Sequence, residues 1–285
     1  MTASVPAVRT VEDLRAQVHA WKREGLRVGL VPTMGALHHG HLSLVNAIAE
    51  KVDRIVVSIF VNPTQFGEGE DFDAYPRTEA EDRKKLADTP ASLVFAPNGA
   101  EMYRTGHAST VTVAGLTDRF EGASRPGHFD GVATVVTKLL LQCLPDVAIF
   151  GEKDYQQLAV IRRFVADLDI PVEIMGGALI RESDGLAASS RNAYLNAEER
   201  AIAGKFNVIL KELVADVSAG ADLRTAEQAA SDKLLEAGFK AVDYVSIVDA
   251  NSLEIIDKIT TPARVLAVAR IGSVRLLDNM AIEAR

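Results

Sequence analysis

Two imidazoles, His38 and His41, stand three residues apart around Gly40, at the end of Val28-Gly-Leu-Val-Pro-Thr-Met-Gly-Ala-Leu-His-His-Gly-His41. Val28 to Val31 is an apolar run of buried-strand type, Pro32 to Gly35 breaks it, and Leu42 to Ile48 has helical spacing. The pair therefore falls at a strand-to-helix turn, on one side of the first helical turn. Backbone N–H groups and the positive end of the helix dipole face the same space, which suits phosphate. Gly40 lets a flat ring or a phosphate come close to the backbone. These features predict a nucleoside triphosphate site with the imidazoles directed at the phosphates. Two other readings compete. Histidines near a turn are often only solvated, and His38, His39 and His41 together could ligate a metal, although a helix N-terminus disfavours a cation.

Other segments offer matching chemistry. Gly151-Glu-Lys-Asp154 follows another apolar run, and Lys153 can act there as a point charge for phosphate. Ser189, Ser190 and Arg191 lie in a polar, small-residue stretch, Arg181 to Asn192, that could donate several hydrogen bonds to phosphate oxygens or serve as a linker. Arg125-Pro-Gly-His128 places a guanidinium beside an imidazole, and Gly67 to Asp73 reads as an acidic surface loop that could also cover a pocket. Cys143, with Leu141 and Leu144 nearby in the chain, reads as core. No Gly-x-Ser-x-Gly elbow is present, so a protein nucleophile is not indicated.

The elements that must carry these groups alternate. Thr10-Val-Glu-Asp13 resembles a capping box, followed by a helix to about Gly25. The first strand, the histidine turn and a helix to about Lys51 come next. Arg54 to Val61 is β-branched and stops at Asn62-Pro63, a second buried strand. Glu79 to Ala87 reads as a helix, Ser92 to Ala96 as a strand, Thr110 to Val113 as a short β-like piece and Val132 to Leu144 as a buried helix. Asp146 to Phe150 is a strand, Tyr155 to Asp167 a helix, and Val172 to Ile180 closes the series. Strand–helix–strand units of this length imply a parallel α/β sheet with right-handed crossovers. Ligands bind beyond the carboxyl ends of such strands, so the histidine turn and Asn62 to Gln65 should share one rim. From Ala197 the pattern changes to helices near 197–218 and 224–237, then strands at 243–248, 264–271 and 273–277. The expected division is 1–180 for the larger nucleotide-binding domain and 181–285 for a smaller α+β domain.

The 285 residues carry a net charge of −8, with 48% hydrophobic and 25% charged residues. That balance argues against nucleic acid or an anionic membrane as partner, and an anionic substrate needs a local basic pocket. One cysteine fits a reducing compartment. No signal pattern or membrane-length apolar run is seen, so a cytosolic protein is expected.

The chain resembles the pantothenate synthetase family. The resemblance rests on Val31 to His41, Phe60-Val-Asn-Pro-Thr-Gln-Phe66, Ala74-Tyr-Pro-Arg77, Arg125 to His128, Phe150-Gly-Glu-Lys-Asp-Tyr-Gln-Gln157, Ser189-Ser-Arg-Asn192 and Leu276-Leu-Asp-Asn279, in family order across nearly the whole chain. It implies a Rossmann-like nucleotidyl-transferase fold and a homodimer. The implied reaction condenses pantoate with β-alanine through a pantoyl-adenylate, with ATP as substrate, Mg²⁺ accompanying it, and AMP and pyrophosphate as products. By the same resemblance Met34, Gly35, Ala36, Leu37, His38, His39, Gly40 and His41 hold ATP, with His41 as the acid at the phosphates. Gly151, Glu152, Lys153 and Asp154 grip the nucleotide, and Ile180 lines the adenosine pocket. Ala188, Ser189, Ser190 and Arg191 close over the phosphates as a lid. His38, Lys153 and Arg191 join His41 as candidates for stabilising the leaving pyrophosphate. Gln65 and Gln157 bind pantoate, and Gln65 also borders the β-alanine site. Glu81 and Asp82 are candidates to touch Mg²⁺. Two positions depart from the common pattern. Ala188 stands where a larger apolar residue is frequent, and His39 where an acid is. Another nucleotidyltransferase of the superfamily and a non-catalytic ATP-binding regulator are the alternatives.

Overall fold

Six short β-branched or apolar runs become the strands of one parallel sheet in the computed structural model, which describes residues 4–284. They are β1 (Ala7–Val8), β2 (Val28–Thr33), β3 (Arg54–Ile59), β4 (Leu93–Phe95), β5 (Val147–Gly151) and β6 (Glu173–Gly177), in the order β1-β4-β3-β2-β5-β6. Between them lie α1 (Val11–Arg23), α2 (His39–Ile48), α3 (Glu79–Leu86), α4 (His128–Cys143) and α5 (Tyr155–Asp167). Alternation along the strands gives two apolar faces. Leu30, Val56, Phe95, Ala148 and Phe150 pack with residues of α1, α4 and α5. Val31, Ile55, Val57, Val94, Val147 and Ile149 pack with α2 and Leu86 of α3. Helices thus cover both faces, as a parallel sheet requires.

The order reverses at β2. It pairs with β3 over six residues, Val28↔Arg54 through Thr33↔Ile59, but with β5 only at Gly29↔Val147 and Leu30↔Ala148. Beyond Leu30 the two strands part, and the carboxyl end of the sheet opens at this switch point. Packing of α2 depends on Gly177, where an added Cβ would collide with the Leu44 side chain.

The described chain divides into two compact units, one holding the sheet up to Glu152 together with Gln156–Ala178, the other Lys153–Tyr155 with Leu179 onward. In the second unit α6 (Ala197–Ala203), α7 (Lys205–Ala219) and α8 (Leu223–Ala237) pack on one face of an antiparallel sheet of β7 (Ala241–Asp249), β8 (Ala263–Ile271) and β9 (Val274–Ile282). The expected α/β parallel sheet with a smaller α+β portion is what forms.

Thr110 to Val113 is not a strand. The Val111 N–H donates to Thr134 Oγ1 at 2.9 Å, so a helix side chain takes the place of a ladder partner. Cys143 is core as expected, 1% exposed, and burial pushes its thiol up to about 12. Among the described residues no helix is long and apolar enough to cross a membrane.

Candidate active site

The helix that carries the histidines begins at His39, earlier than its apolar spacing suggests, because His38 is its N-cap. With extended backbone at His38, its Nδ1 accepts from the Gly40 N–H at 3.2 Å. The His41 Nδ1 reaches back to accept the His38 N–H at 3.3 Å. This is a capping box in which imidazoles do the work usually given to Ser and Glu. It corrects one expectation, since the His38 and Gly40 N–H groups are taken by the rings and are not offered to an anion. It also sets a tautomer. A ring nitrogen that accepts from a backbone N–H carries no proton, so each neutral ring bears its proton on Nε2. The rings lie 4.1 Å apart between centroids. His39 is exposed on the other side of the turn.

The turn before them is held by one carboxylate. Gly35 and Ala36 both have positive φ, 83° and 51°, a conformation unfavourable for an alanine. Asp82 of α3, fully buried, accepts the Ala36 N–H at 3.0 Å and the Leu37 N–H at 2.8 Å, one on each oxygen, and the Thr78 hydroxyl at 3.2 Å. Lys85 Nζ donates to the Leu37 carbonyl at 2.7 Å. Asp82 is therefore a brace for the turn and not the Mg²⁺ contact considered from sequence, while Glu81 is exposed. The three-histidine metal reading fares no better, because among the described residues no cluster of three metal-ligating side chains occurs.

After β3 the Asn62-Pro63 break becomes a single 3₁₀ turn, Pro63–Gln65. Buried Asn62 organises it. Its Nδ2 donates to Gln65 Oε1 at 3.1 Å and to the Gly131 carbonyl at 3.2 Å, and its Oδ1 accepts the Tyr103 hydroxyl at 2.7 Å. Gln65 is left presenting its Nε2, 3.3 Å from Met34 Sδ, so this loop adjoins the histidine turn as the shared-rim argument requires. Gly131 has no side chain because α4 lies directly on the turn, where an added Cβ would overlap the Thr64 carbonyl.

Arg125 and His128 close the other side. Arg125 grips Glu70 with two hydrogen bonds, 2.7 and 2.6 Å, tying the acidic loop down, and that contact holds the Glu70 carboxyl below its usual range. Arg125 Nη1 lies 3.0 Å from His128 Nε2, and a guanidinium can only donate. His128 Nδ1 is then the donor to the Gln65 carbonyl at 2.8 Å. Burial first, and Arg125 second, push the His128 pKa down to about 4.

A histidine depressed in this way stabilises the fold fully above its unfolded pKa of about 6.5, and the contribution drains away as pH falls towards 4. Denaturant unfolding between pH 7 and pH 4 should show the protein losing up to about 3 kcal/mol more than a His128→Asn variant. Parallel pH profiles for the two proteins would remove His128 as the cause.

β5 ends at Gly151, paired with Gly177 of β6, and leads into Glu152 and Lys153. Lys153 is largely withdrawn from solvent, with Nζ 3.5 Å from Asp154. On α5 the two glutamines have separate tasks. Gln156 is buried and bonded to the Glu121 N–H and to the Leu116 and Arg119 carbonyls, whereas Gln157 is half-exposed.

In the second unit Arg181 to Asn192 is a pinned structure. Arg181 pairs in a β-bridge with Ala187 and clamps the buried Asp278 at 2.6 and 2.8 Å, while Arg200 holds Glu182 and Asp184. Ala188 is buried, its N–H given to the Ile180 carbonyl. Ser189 caps the short helix Ser190–Tyr194 by accepting the Arg191 N–H at 3.3 Å.

A sequence model of the Pantoate-beta-alanine ligase family matches residues 6–281. The chain belongs to the pantoate–β-alanine ligase family. Pantothenate synthetase of Paramagnetospirillum magneticum is 57% identical over 283 residues, spanning 99% of this chain and all of that protein. The crystal structure of pantothenate synthetase from Thermus thermophilus superposes with a TM-score of 0.92 at 45% identity, covering 98% of this chain and 100% of that one. The pantoate-beta-alanine ligase from Francisella tularensis, solved with beta-gamma ATP and β-alanine, gives 0.83 at 31% identity over 97% of each chain. As a member of this ligase family the chain is an enzyme.

The bracing roles of Asn62 and Asp82 were not legible in the sequence. The only sequence signal for Asn62 is its place between a strand and Pro63. For Asp82, 45 residues from the N–H it accepts, there is none.

Proposed function

We propose that this enzyme condenses pantoate with β-alanine in two steps on one ATP. In the first, a pantoate carboxylate oxygen attacks the α-phosphorus, the bond to the bridging oxygen breaks, and pyrophosphate leaves. In the second, the β-alanine amine attacks the acyl carbon, loses a proton, and AMP departs with that carboxylate oxygen. The observation that carries this reading is the imidazole capping box, which fixes both Nε2–H groups as donors at the open switch point of the sheet. Donors placed in advance stabilise the charge that grows on departing pyrophosphate, and His41 would pass its Nε2 proton towards it. Met34 to His41, Gly151 to Asp154, Ile180 and Ala188 to Arg191 would hold the nucleotide, with Lys153 and Arg191 supplying charge. Gln65, directed by Asn62, and Gln157 would bind pantoate, and Gln65 would border the amine. Holding the reactants together and excluding water from the mixed anhydride would supply much of the remaining rate.

Mg²⁺ would reach the site on the triphosphate. The donors fit that arrangement, since the nearby buried carboxylate, Asp82, is engaged by backbone N–H groups, leaving phosphate oxygens and water to coordinate the ion. The ion would neutralise phosphate charge. A cytosolic homodimer belongs to the same reading, and sedimentation at working concentration would test the assembly.

An AMP-release assay with each substrate omitted in turn tests the reaction. AMP should appear only with ATP, pantoate and β-alanine together. ATP–pyrophosphate exchange should need pantoate and not β-alanine. A nucleotidyltransferase that keeps AMP on its product would release none, and a regulator would not turn over. Lys153→Ala should raise the KM for ATP and Gln65→Ala that for pantoate, each by roughly tenfold or more. Equal effects of each change on both substrates would undo the division.

A further inference from the structure

Lys153–Tyr155 sorts with the C-terminal unit, although the residues on both sides belong to the parallel sheet's unit. Three contacts explain it. Asn279 of β9, 3% exposed, donates its Nδ2 to the Lys153 carbonyl at 2.9 Å. Arg264 of β8 donates to Asn279 Oδ1, which leaves the amide only one orientation, with Nδ2 towards Lys153. The Arg264 guanidinium also lies over the Tyr155 ring, 3.8 Å from its centroid, and the Tyr155 hydroxyl donates to the Ala250 carbonyl at 2.9 Å. Arg264 and Asn279 are diagonal neighbours on one face of the sheet, since Leu266 pairs with Asn279 and Arg264 with Ala281. The helices α6–α8 pack on the other face, through Val265, Ala267 and Ala269.

Asn279 is itself held hard. Asp278 Oδ1 accepts its backbone N–H at 2.7 Å, and the same carboxylate is clamped by Arg181. The backbone of the lysine is thus tied through its carbonyl to the β-ladder. We infer that Asn279, oriented by Arg264, is a positioning residue for Lys153, fixing the peptide from which the ammonium reaches the ATP phosphates; this rests on the phosphate role proposed for Lys153 above. A hydrogen bond to the carbonyl restricts the peptide plane, and with it the direction in which Cβ leaves the chain. Loss of that bond would let the ammonium sample positions off the phosphate without touching the groups that bind pantoate.

A double-mutant cycle on the full-length enzyme tests this, reading steady-state kinetics for ATP and for pantoate. Asn279→Ala should raise the KM for ATP about tenfold, as expected for one buried hydrogen bond. It should leave the KM for pantoate in place. In a Lys153→Ala background the same change should have no further effect on kcat/KM for ATP. Asn279→Asp, isosteric and still able to accept from Arg264, should reproduce the effect if the alanine variant fails to accumulate. An equal loss from the Asn279 change with and without Lys153, or an equal rise in both KM values, would make Asn279 a purely structural residue and overturn the proposal. If Lys153→Ala alone leaves ATP kinetics unaltered, the phosphate role of Lys153 falls first, and the positioning role with it.

Discussion

Replacing His41 by alanine is expected to slow pantoate-dependent ATP–pyrophosphate exchange by about 10²–10⁴-fold, the range for loss of a positioned general acid. Two things disappear together in that variant: the Nε2–H donor and the acceptor that caps the His38 N–H. Glutamine separates them. At the third position of a helix Gln is an ordinary capping-box partner, so His41→Gln should keep the start of α2 and its melting temperature while losing the proton donor. The expected result is a variant that binds ATP nearly as well, unfolds where the parent does, and still exchanges at least about 100-fold more slowly. Turnover within about threefold of the parent in His41→Gln would show that the ring serves only as a cap.

Asp82→Ala should be the most damaging change to stability among the residues that shape the site. It strands the Ala36 and Leu37 N–H groups, held at positive φ or beside it, where water has little access. Each buried unsatisfied donor costs about 1–3 kcal/mol, and these bonds are to a charged acceptor, so a loss of roughly 3–5 kcal/mol is expected. For a unit of this size that lowers the melting temperature by roughly 10 °C. Activity should fall as well, because the histidines follow directly on the loosened turn. Asp82→Asn, which keeps one acceptor oxygen, should fall between the parent and alanine in calorimetry. An unaltered melting temperature in Asp82→Ala would mean the turn is held by other contacts.

What could be read without coordinates was whatever repeats locally. Buried strands such as Val28–Thr33 and Arg54–Ile59 announce themselves by β-branched runs with clear stops, and the crossovers between them follow from chain length and handedness. The rim carrying the histidines and Asn62–Gln65 came from the same logic. Elements that depend on remote partners were not legible. The edge strand Ala7–Val8 is two residues long and exists only through its pairing with Val94 and Phe95. The start of α2 is not marked in the sequence because histidine is not among the usual capping residues, and only the geometry shows the imidazoles in that role. Asp82 looked like a carboxylate for a cation, since the backbone donors that occupy it lie on another loop. The bidentate Glu70–Arg125 pair joins two loops 55 residues apart, and nothing in either stretch of sequence predicts that they meet.

The most direct test follows an oxygen atom. With pantoate labelled by ¹⁸O in both carboxylate oxygens, attack at the α-phosphorus leaves one labelled oxygen on every AMP released, detectable by mass spectrometry or as a shift in the ³¹P resonance. Label in AMP, with none in pyrophosphate, is the predicted result. Unlabelled AMP, or label in inorganic phosphate alongside ADP, would mean that the carboxylate does not attack the α-phosphorus, and the adenylate route would be wrong.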